Sequence, residues 1–214
     1  MMNRIEHKGS KWKFPFVEYV CDNKEEKLPL IIQLHGAGER GNGEDDLKLV
    51  DVWGFSNILN DVSVGCRIIM PQCPKDTFWV AKLESLIKFI EQIIKEYNVD
   101  ENRIYLTGFS MGGYGTWYTA IARPDLFAAI APVSGGGMAW NAEVLNMPVW
   151  AFHGSDDDVV SVLQSEEMVE SMKKSGRNIK FSNLEGRGHN IGKEVFNEEL
   201  LNWLLSNTKE IQEA

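Results

Sequence analysis

Gly108-Phe109-Ser110-Met111-Gly112-Gly113 follows the apolar run Arg103-Ile104-Tyr105-Leu106-Thr107 and precedes Tyr114-Gly115-Thr116-Trp117-Tyr118-Thr119-Ala120-Ile121-Ala122. The run reads as a buried strand, the G-x-S-x-G stretch as a sharp turn, and the residues after it as a helix with an apolar side. Strand, turn and helix in that order are the context the motif requires. A serine at the apex of a strained turn projects its hydroxyl clear of the sheet. Gly108 and Gly112 remove Cβ atoms that would collide where strand and helix converge, and the helix N-terminus supplies partial positive charge. A Gly-rich connection with a capping serine would read the same way. The rest of the chain has to decide between the two.

Upstream, Leu28-Pro29-Leu30-Ile31-Ile32-Gln33-Leu34 is a short apolar run ending in His35-Gly36-Ala37-Gly38-Glu39-Arg40-Gly41-Asn42-Gly43. A continuous apolar strand followed by a Gly-rich loop is the pattern of a central parallel strand. Its C-terminal edge is where open α/β sheets keep their sites. Residues 67–70 form another buried strand, stopped by Pro71 and Pro74. Over 81–97, Leu83, Leu86, Ile87, Ile90, Ile93, Ile94 and Tyr97 recur at three- and four-residue spacing, which predicts an amphipathic helix. Further expected elements are a strand over 12–21, a charged turn over 22–27 and a helix over 47–59 that Gly54 weakens. Beyond the motif come strands over 127–133, 149–152 and 179–184 and helices over 162–174 and 194–205. Strands alternating with helices imply right-handed crossovers and a mostly parallel sheet covered on both faces. With no repeat, low-complexity tract or linker, residues 1–214 read as one domain.

A serine hydroxyl is a weak nucleophile near neutrality and needs a base, itself oriented by a carboxylate. The chain has four histidines. His7 lies in a polar N-terminal segment and is expected in solvent. His35 and His153 each end a strand in a His-Gly pair, which suits a ring tied to backbone. His189 sits in Glu185-Gly186-Arg187-Gly188-His189-Asn190, after the last strand and before the closing helix, where a base reaching the top of the sheet would be placed. For the acid, the strand over 149–152 runs into His153-Gly154-Ser155-Asp156-Asp157-Asp158-Val159-Val160. Three adjacent carboxylates cannot all be buried and ionised, so one is expected inward and two in solvent. An oxyanion hole needs two preset N–H donors. Met111 is the first, and the loop after the earlier strand offers Ala37, then Gly38.

These residues resemble the α/β-hydrolase superfamily. Leu34-His35-Gly36-Ala37-Gly38-Glu39-Arg40-Gly41, the stretch from Gly108 to Trp117, and Pro124-Asp125-Leu126-Phe127-Ala128-Ala129 are similar to its small carboxylesterase/phospholipase branch, which includes polyhydroxybutyrate-depolymerase-like, feruloyl-esterase-like and predicted-peptidase members. The resemblance implies a three-layer sandwich with a mostly parallel central sheet, helices on both faces and no large lid. It implies a serine hydrolase for carboxylic esters, with thioesters or amides as the alternative, and no metal or cofactor. The family's H-G-x-x-D-x-x-V-P register selects Asp157 from the acidic cluster, although Ser161 stands where its proline is usual. Ser110, His189 and Asp157 are then nucleophile, base and orienting acid.

Trp53, Phe55, Phe78, Trp79, Met138 and Trp140 fall in loops expected to rim the active edge, so Trp53, Trp79, Trp140 and Gly38 are the candidate substrate contacts. Trp117, Trp150 and Trp203 are expected in the core, and Glu39 is expected to pair with Arg40. A net charge of −9 and a pI near 5.0 argue against nucleic acid and anionic membrane surfaces. The resemblance implies a small-molecule ester as the partner, and a homodimer stays open. Cys21, Cys66 and Cys73 lack metal-site spacing and a paired framework, and no signal peptide is apparent at the N-terminus, so a cytoplasmic protein with reduced thiols is expected.

Overall fold

The computed structural model describes residues 2–9, 11–21, 27–59 and 64–209. Its strands are β1 (Asn3–His7), β2 (Phe16–Val20), β3 (Leu28–Leu34), β4 (Arg67–Pro71), β5 (Val99–Phe109), β6 (Ala129–Val133), β7 (Val149–Gly154) and β8 (Ile179–Leu184). All eight join one sheet in the order β1-β2-β4-β3-β5-β6-β7-β8. The pairs from β4 and β3 through β8 are parallel, and β1 and β2 add an antiparallel edge. Every residue of β3 is buried, as a continuous apolar run in mid-sheet requires.

Among the described residues, five α-helices flank the sheet: α1 (Leu83–Glu96), α2 (Met111–Ala122), α3 (Leu163–Lys174), α4 (Gly192–Val195) and α5 (Glu198–Ser206). One apolar layer joins Leu30, Ile32 and Leu34 of β3 to Leu86, Phe89, Ile90 and Ile93 of α1, Trp117 of α2 and Met168 and Met172 of α3. The opposite layer joins Ile31, Tyr105 and Phe152 to Val195 and to Leu200, Leu201 and Leu204 of α5. The result is the three-layer α/β sandwich that the alternating pattern predicts. Among the described residues, no helix is long and apolar enough to cross a membrane.

Several local expectations change. The strand expected over 12–21 is confined to β2, because Trp12 and Phe14 turn into the core beside Trp79 and Phe89. β1 has no apolar alternation to announce it, since its residues are exposed along most of their length. His7, expected in solvent, instead lies 2.6 Å from buried Glu18 and stacks on Phe16 at 4.2 Å between ring centroids. Glu18 also pairs with Arg67 and accepts from the Tyr97 hydroxyl at 3.3 Å, so a carboxylate inside the sheet keeps three partners. In place of a helix over 47–59 there are two short 3-10 turns, Leu47–Asp51 and Phe55–Asn57. Gln33 on β3 pins this stretch by donating to Trp53 O and accepting from Phe55 N, both at 3.0 Å. A Cβ on Gly54 would land 1.7 Å from the Gln33 amide, so the glycine is required by that close approach. The closing helix is divided at Asn197, whose side chain caps α5 by accepting from Leu200 N at 3.0 Å. The charged turn expected over 22–27 falls mostly outside the described residues.

Candidate active site

β5 ends at Phe109 and α2 begins at Met111, leaving Ser110 alone at the apex with φ 56° and ψ −116°. A left-handed backbone at a non-glycine residue is strained and persists only where its surroundings hold it. Here the serine N–H donates to Val133 O at 2.9 Å and its carbonyl accepts from Tyr114 N at 3.1 Å. The flanking glycines allow three backbones to touch. A Cβ on Gly108 would stand 2.4 Å from Gly112 O, and one on Gly112 only 2.1 Å from Leu34 O. The motif therefore fastens α2 to β3 and β5.

His189 and Asp157 come from loops at the same sheet edge. His189 Nε2 lies 2.8 Å from Ser110 Oγ, and its Nδ1 lies 2.7 Å from Asp157 Oδ2. The other carboxylate oxygen of Asp157 accepts from Val159 N at 3.0 Å and Val160 N at 2.8 Å. Burial opposes ionisation of Asp157, but the bonds from His189, Val160 and Val159 outweigh it and hold the carboxyl below its ordinary range. Asp156 and Asp158 are exposed, as expected of the other two carboxylates.

Backbone contacts lock the two loops together. Asp156 N donates to Arg187 O at 2.9 Å and Gly186 N to Ser155 Oγ at 2.8 Å. Gly154 has no room for a Cβ, which would sit 2.3 Å from Arg187 O. The Phe109 ring lies 5.1 Å from that of His189.

The loop after β3 turns through Ala37–Glu39 as a single 3-10 turn, with Ala37 and Gly38 exposed. Its shape is held from beneath by His35. The ring donates from Nδ1 to Gly36 O at 2.6 Å and accepts at Nε2 from Cys73 N at 2.9 Å. A carbonyl only accepts and an amide only donates, so the tautomer is fixed. Burial drives the His35 pKa down to about 4, keeping the ring neutral. His35 is thus tied to backbone as expected. Arg40 does not pair with Glu39. It donates from Nε to Ala37 O at 2.8 Å and from Nη1 to Thr77 O at 3.2 Å, which clips the turn to the segment before α1. Glu39 is buried with Oε2 lacking a hydrogen-bond partner, 3.9 Å from His35 Nδ1, and burial raises its carboxyl pKa.

Beside Met111 opens an apolar cleft of about 410 Å³ lined by Phe78, Val80, Met111, Tyr114 and Tyr118. The four candidate substrate contacts fare differently. Trp79 is fully buried, donating Nε1 to His35 O at 3.0 Å, so it braces the loop after β3 from within and cannot meet a ligand. Its neighbour Phe78 faces the cleft instead, 52% exposed. Trp53 is half-buried near Phe109 and Lys193, and Trp140 is 79% exposed; neither lines the cleft. Gly38 is exposed in its turn and also outside the lining. Phe55 is core, as are Trp117 and Trp150, while Trp203 is half-buried. Sequence reasoning missed Val80, Tyr114 and Tyr118. The last two were reachable, because Ser110, Tyr114 and Tyr118 recur every four residues and so share one face of α2.

Comparison with known proteins points the same way. The family model for phospholipase/carboxylesterase matches residues 75–202. A bifunctional acetylxylan esterase/xylanase from Neocallimastix patriciarum is 31% identical over 160 residues, which are 72% of this chain and 23% of that protein. An uncharacterized secreted protein from Arthroderma benhamiae is 27% identical, and this chain spans 22% of it. The chain thus spans about a quarter of the length of these two relatives. An acyl-protein thioesterase 1 homolog from Dictyostelium discoideum is 25% identical over 202 residues, covering 78% of this chain and 87% of the relative. Among solved structures, a thermostable esterase superposes with a TM-score of 0.78 at 30% identity, over 97% of this chain and 63% of the other. With the family model matching more than half of its length and a strained serine held between β5 and α2, the chain belongs to the phospholipase/carboxylesterase family of the α/β-hydrolase fold.

Proposed function

We propose that the protein is a serine hydrolase of carboxylic esters, working through an acyl-enzyme on Ser110. The observation that carries this reading is the unbroken hydrogen-bonded line from Ser110 Oγ through His189 to Asp157. Ser110 Oγ attacks the ester carbonyl while His189 Nε2 takes its proton. Asp157 fixes the ring with Nδ1–H toward Oδ2 and stabilises the imidazolium that forms. The backbone N–H groups of Met111, which opens α2, and of Ala37 receive the oxyanion, each contributing about 3 to 4 kcal/mol to the transition state. The imidazolium returns its proton to the departing alcohol. Water then attacks the acyl-enzyme with His189 again as base. No step requires a metal or organic cofactor.

The cleft beside Met111 has no charged residue in its lining and suits an uncharged apolar group of the substrate. A thioester is the second reading, favoured by the Dictyostelium relative, which matches over most of its own length. The same groups would serve, with a thiol leaving in place of an alcohol. Three free cysteines fit a reducing, cytoplasmic setting.

The test is turnover of short aryl esters by the wild type and Ser110→Ala, with fluorophosphonate labelling mapped to the modified residue. Loss of turnover and label in the variant is expected, and equal rates would remove the reading. A series of ester and thioester substrates with graded acyl length, run on the wild type and Phe78→Ala, then assigns the cleft. Loss of this aromatic contact with the acyl group is expected to lower kcat/KM for the longer acyl groups about tenfold and to spare acetyl esters.

A further inference from the structure

A second imidazole lies against the carboxylate that orients His189. His153, the penultimate residue of β7, is fully buried. Its Nε2 is 2.9 Å from Val160 O and 3.2 Å from Asp157 Oδ2, and its Nδ1 is 2.7 Å from Ser165 Oγ on α3. Both neighbours of Nε2 are acceptors without a proton, so Nε2 must carry one. Ser165 Oγ is also 2.9 Å from Gly135 O and can donate to only one of its two neighbours. Burial favours the uncharged ring, and the two acceptors at Nε2 place its proton there.

We propose that His153 is a positioning residue for the Asp157–His189 pair, acting through the 157–160 turn; this rests on the reading of Ser110 as nucleophile. Asp157 gathers that turn by accepting from Val159 N and Val160 N. His153 closes it from the other side by holding the Val160 carbonyl, and lays the positive edge of its ring beside Asp157 Oδ2. The carboxylate is thus fixed at both oxygens before His189 docks on it. The titratable groups acting on His153 are Asp157 in the loop after β7 and His189 in the loop after β8. On the cleft side burial raises the Tyr114 pKa on α2, with Asp157 adding to the rise, and Ser165 is the polar contact from α3. Without the Nε2–H, the Val160 carbonyl loses its partner, and a looser turn presents Asp157, and through it His189, less accurately to Ser110.

The experiment compares wild type, His153→Leu and His153→Gln, the last because a glutamine amide carries an N–H about as far from the backbone as Nε2. The polar partners of His153 are Ser165, Val160 and Asp157, none of which lines the cleft, so KM should stay within about twofold. In His153→Leu, kcat should fall about 10- to 100-fold, the range for a displacement of about 1 Å at the reacting groups. His153→Gln should recover most of that loss. A leucine variant with the wild-type kcat overturns the proposal, as does a glutamine variant no better than leucine. If the leucine variant does not fold, the glutamine variant and ¹⁵N-histidine NMR of the wild type decide. An Nδ1–H tautomer at His153 contradicts the arrangement. A wild type that neither hydrolyses esters nor labels at Ser110 removes the nucleophile reading, and this proposal with it. An active, labelled wild type with an unresponsive His153 removes the proposal alone.

Discussion

Replacing Gly112 by alanine tests whether the close approach of α2 to β3 is what aims Ser110. The new Cβ would stand 2.1 Å from the Leu34 carbonyl oxygen, 2.6 Å from its carbon and 2.9 Å from His35 O. All three are backbone atoms in or just after a central strand whose own hydrogen bonds prevent retreat. Cβ contacts below 3.0 Å essentially never occur, so the start of α2 must withdraw by about 0.9 Å. Overpacking of this kind costs about 1 to 3 kcal/mol of stability. The larger effect is on turnover, since Ser110 and Met111 sit at the displaced helix end and a shift near 1 Å costs about 100-fold. Urea unfolding should show the loss of stability, and hydrolysis of an aryl ester together with the rate of fluorophosphonate labelling should show the loss of reactivity. Gly65→Ala is the control, because a Cβ there meets nothing within 4 Å. A Gly112→Ala protein with wild-type kcat and labelling rate would refute the claim that the three-backbone contact sets the nucleophile.

Asp157→Asn should keep an acceptor for Val159 N and Val160 N but present an amide to His189, stabilising the wrong tautomer and lowering kcat about 10⁴-fold in steady-state assays. The same variant changes the pH dependence of stability. The folded protein holds the Asp157 carboxyl below its ordinary range, so its contribution is present above the unfolded carboxyl pKa and is lost as pH falls through the folded value. Thermal melts from roughly pH 7 down to pH 3 should therefore fall less steeply for Asp157→Asn than for wild type; parallel curves would contradict the assignment. Trp79→Ala should cost about 3 to 5 kcal/mol in urea unfolding, because it empties a fully buried site and releases the His35 carbonyl. Trp140→Ala, at 79% exposure, should stay within about 0.5 kcal/mol of wild type, and equal losses for the two would overturn their assignments to core and surface.

The elements with local signatures were legible in the chain. The turn at Ser110 announces itself through spacing, because Gly108 and Gly112 flank it at fixed intervals, although the contacts that demand Gly112 come from β3, far away in sequence. Helix α1 follows from apolar residues recurring on one face, and β3 from an unbroken apolar run. His189 could be chosen from four histidines by its position after the last strand, whereas the acidic cluster narrowed only to three neighbours until the family register favoured Asp157. Which carboxylate turns inward depends on Val159 and Val160 wrapping around it and on the meeting of two loops distant in sequence.

The expectations that failed depend on partners supplied from elsewhere in the fold. Gly54 and Phe55 sit where Gln33 holds them, so a stretch with helical composition is drawn into short turns. Glu39 and Arg40 are adjacent, yet Arg40 is used by the carbonyls of Ala37 and Thr77. Trp79 and Phe78 are equally aromatic, and only the packing of α2 against the sheet decides that one is sealed beneath the loop and the other faces the cleft. By itself, then, the sequence determined the alternation of elements, the strained serine and the candidate base. The tertiary structure decided which groups reach them, because hydrogen bonds and burial are settled by residues that only folding brings within a few ångströms.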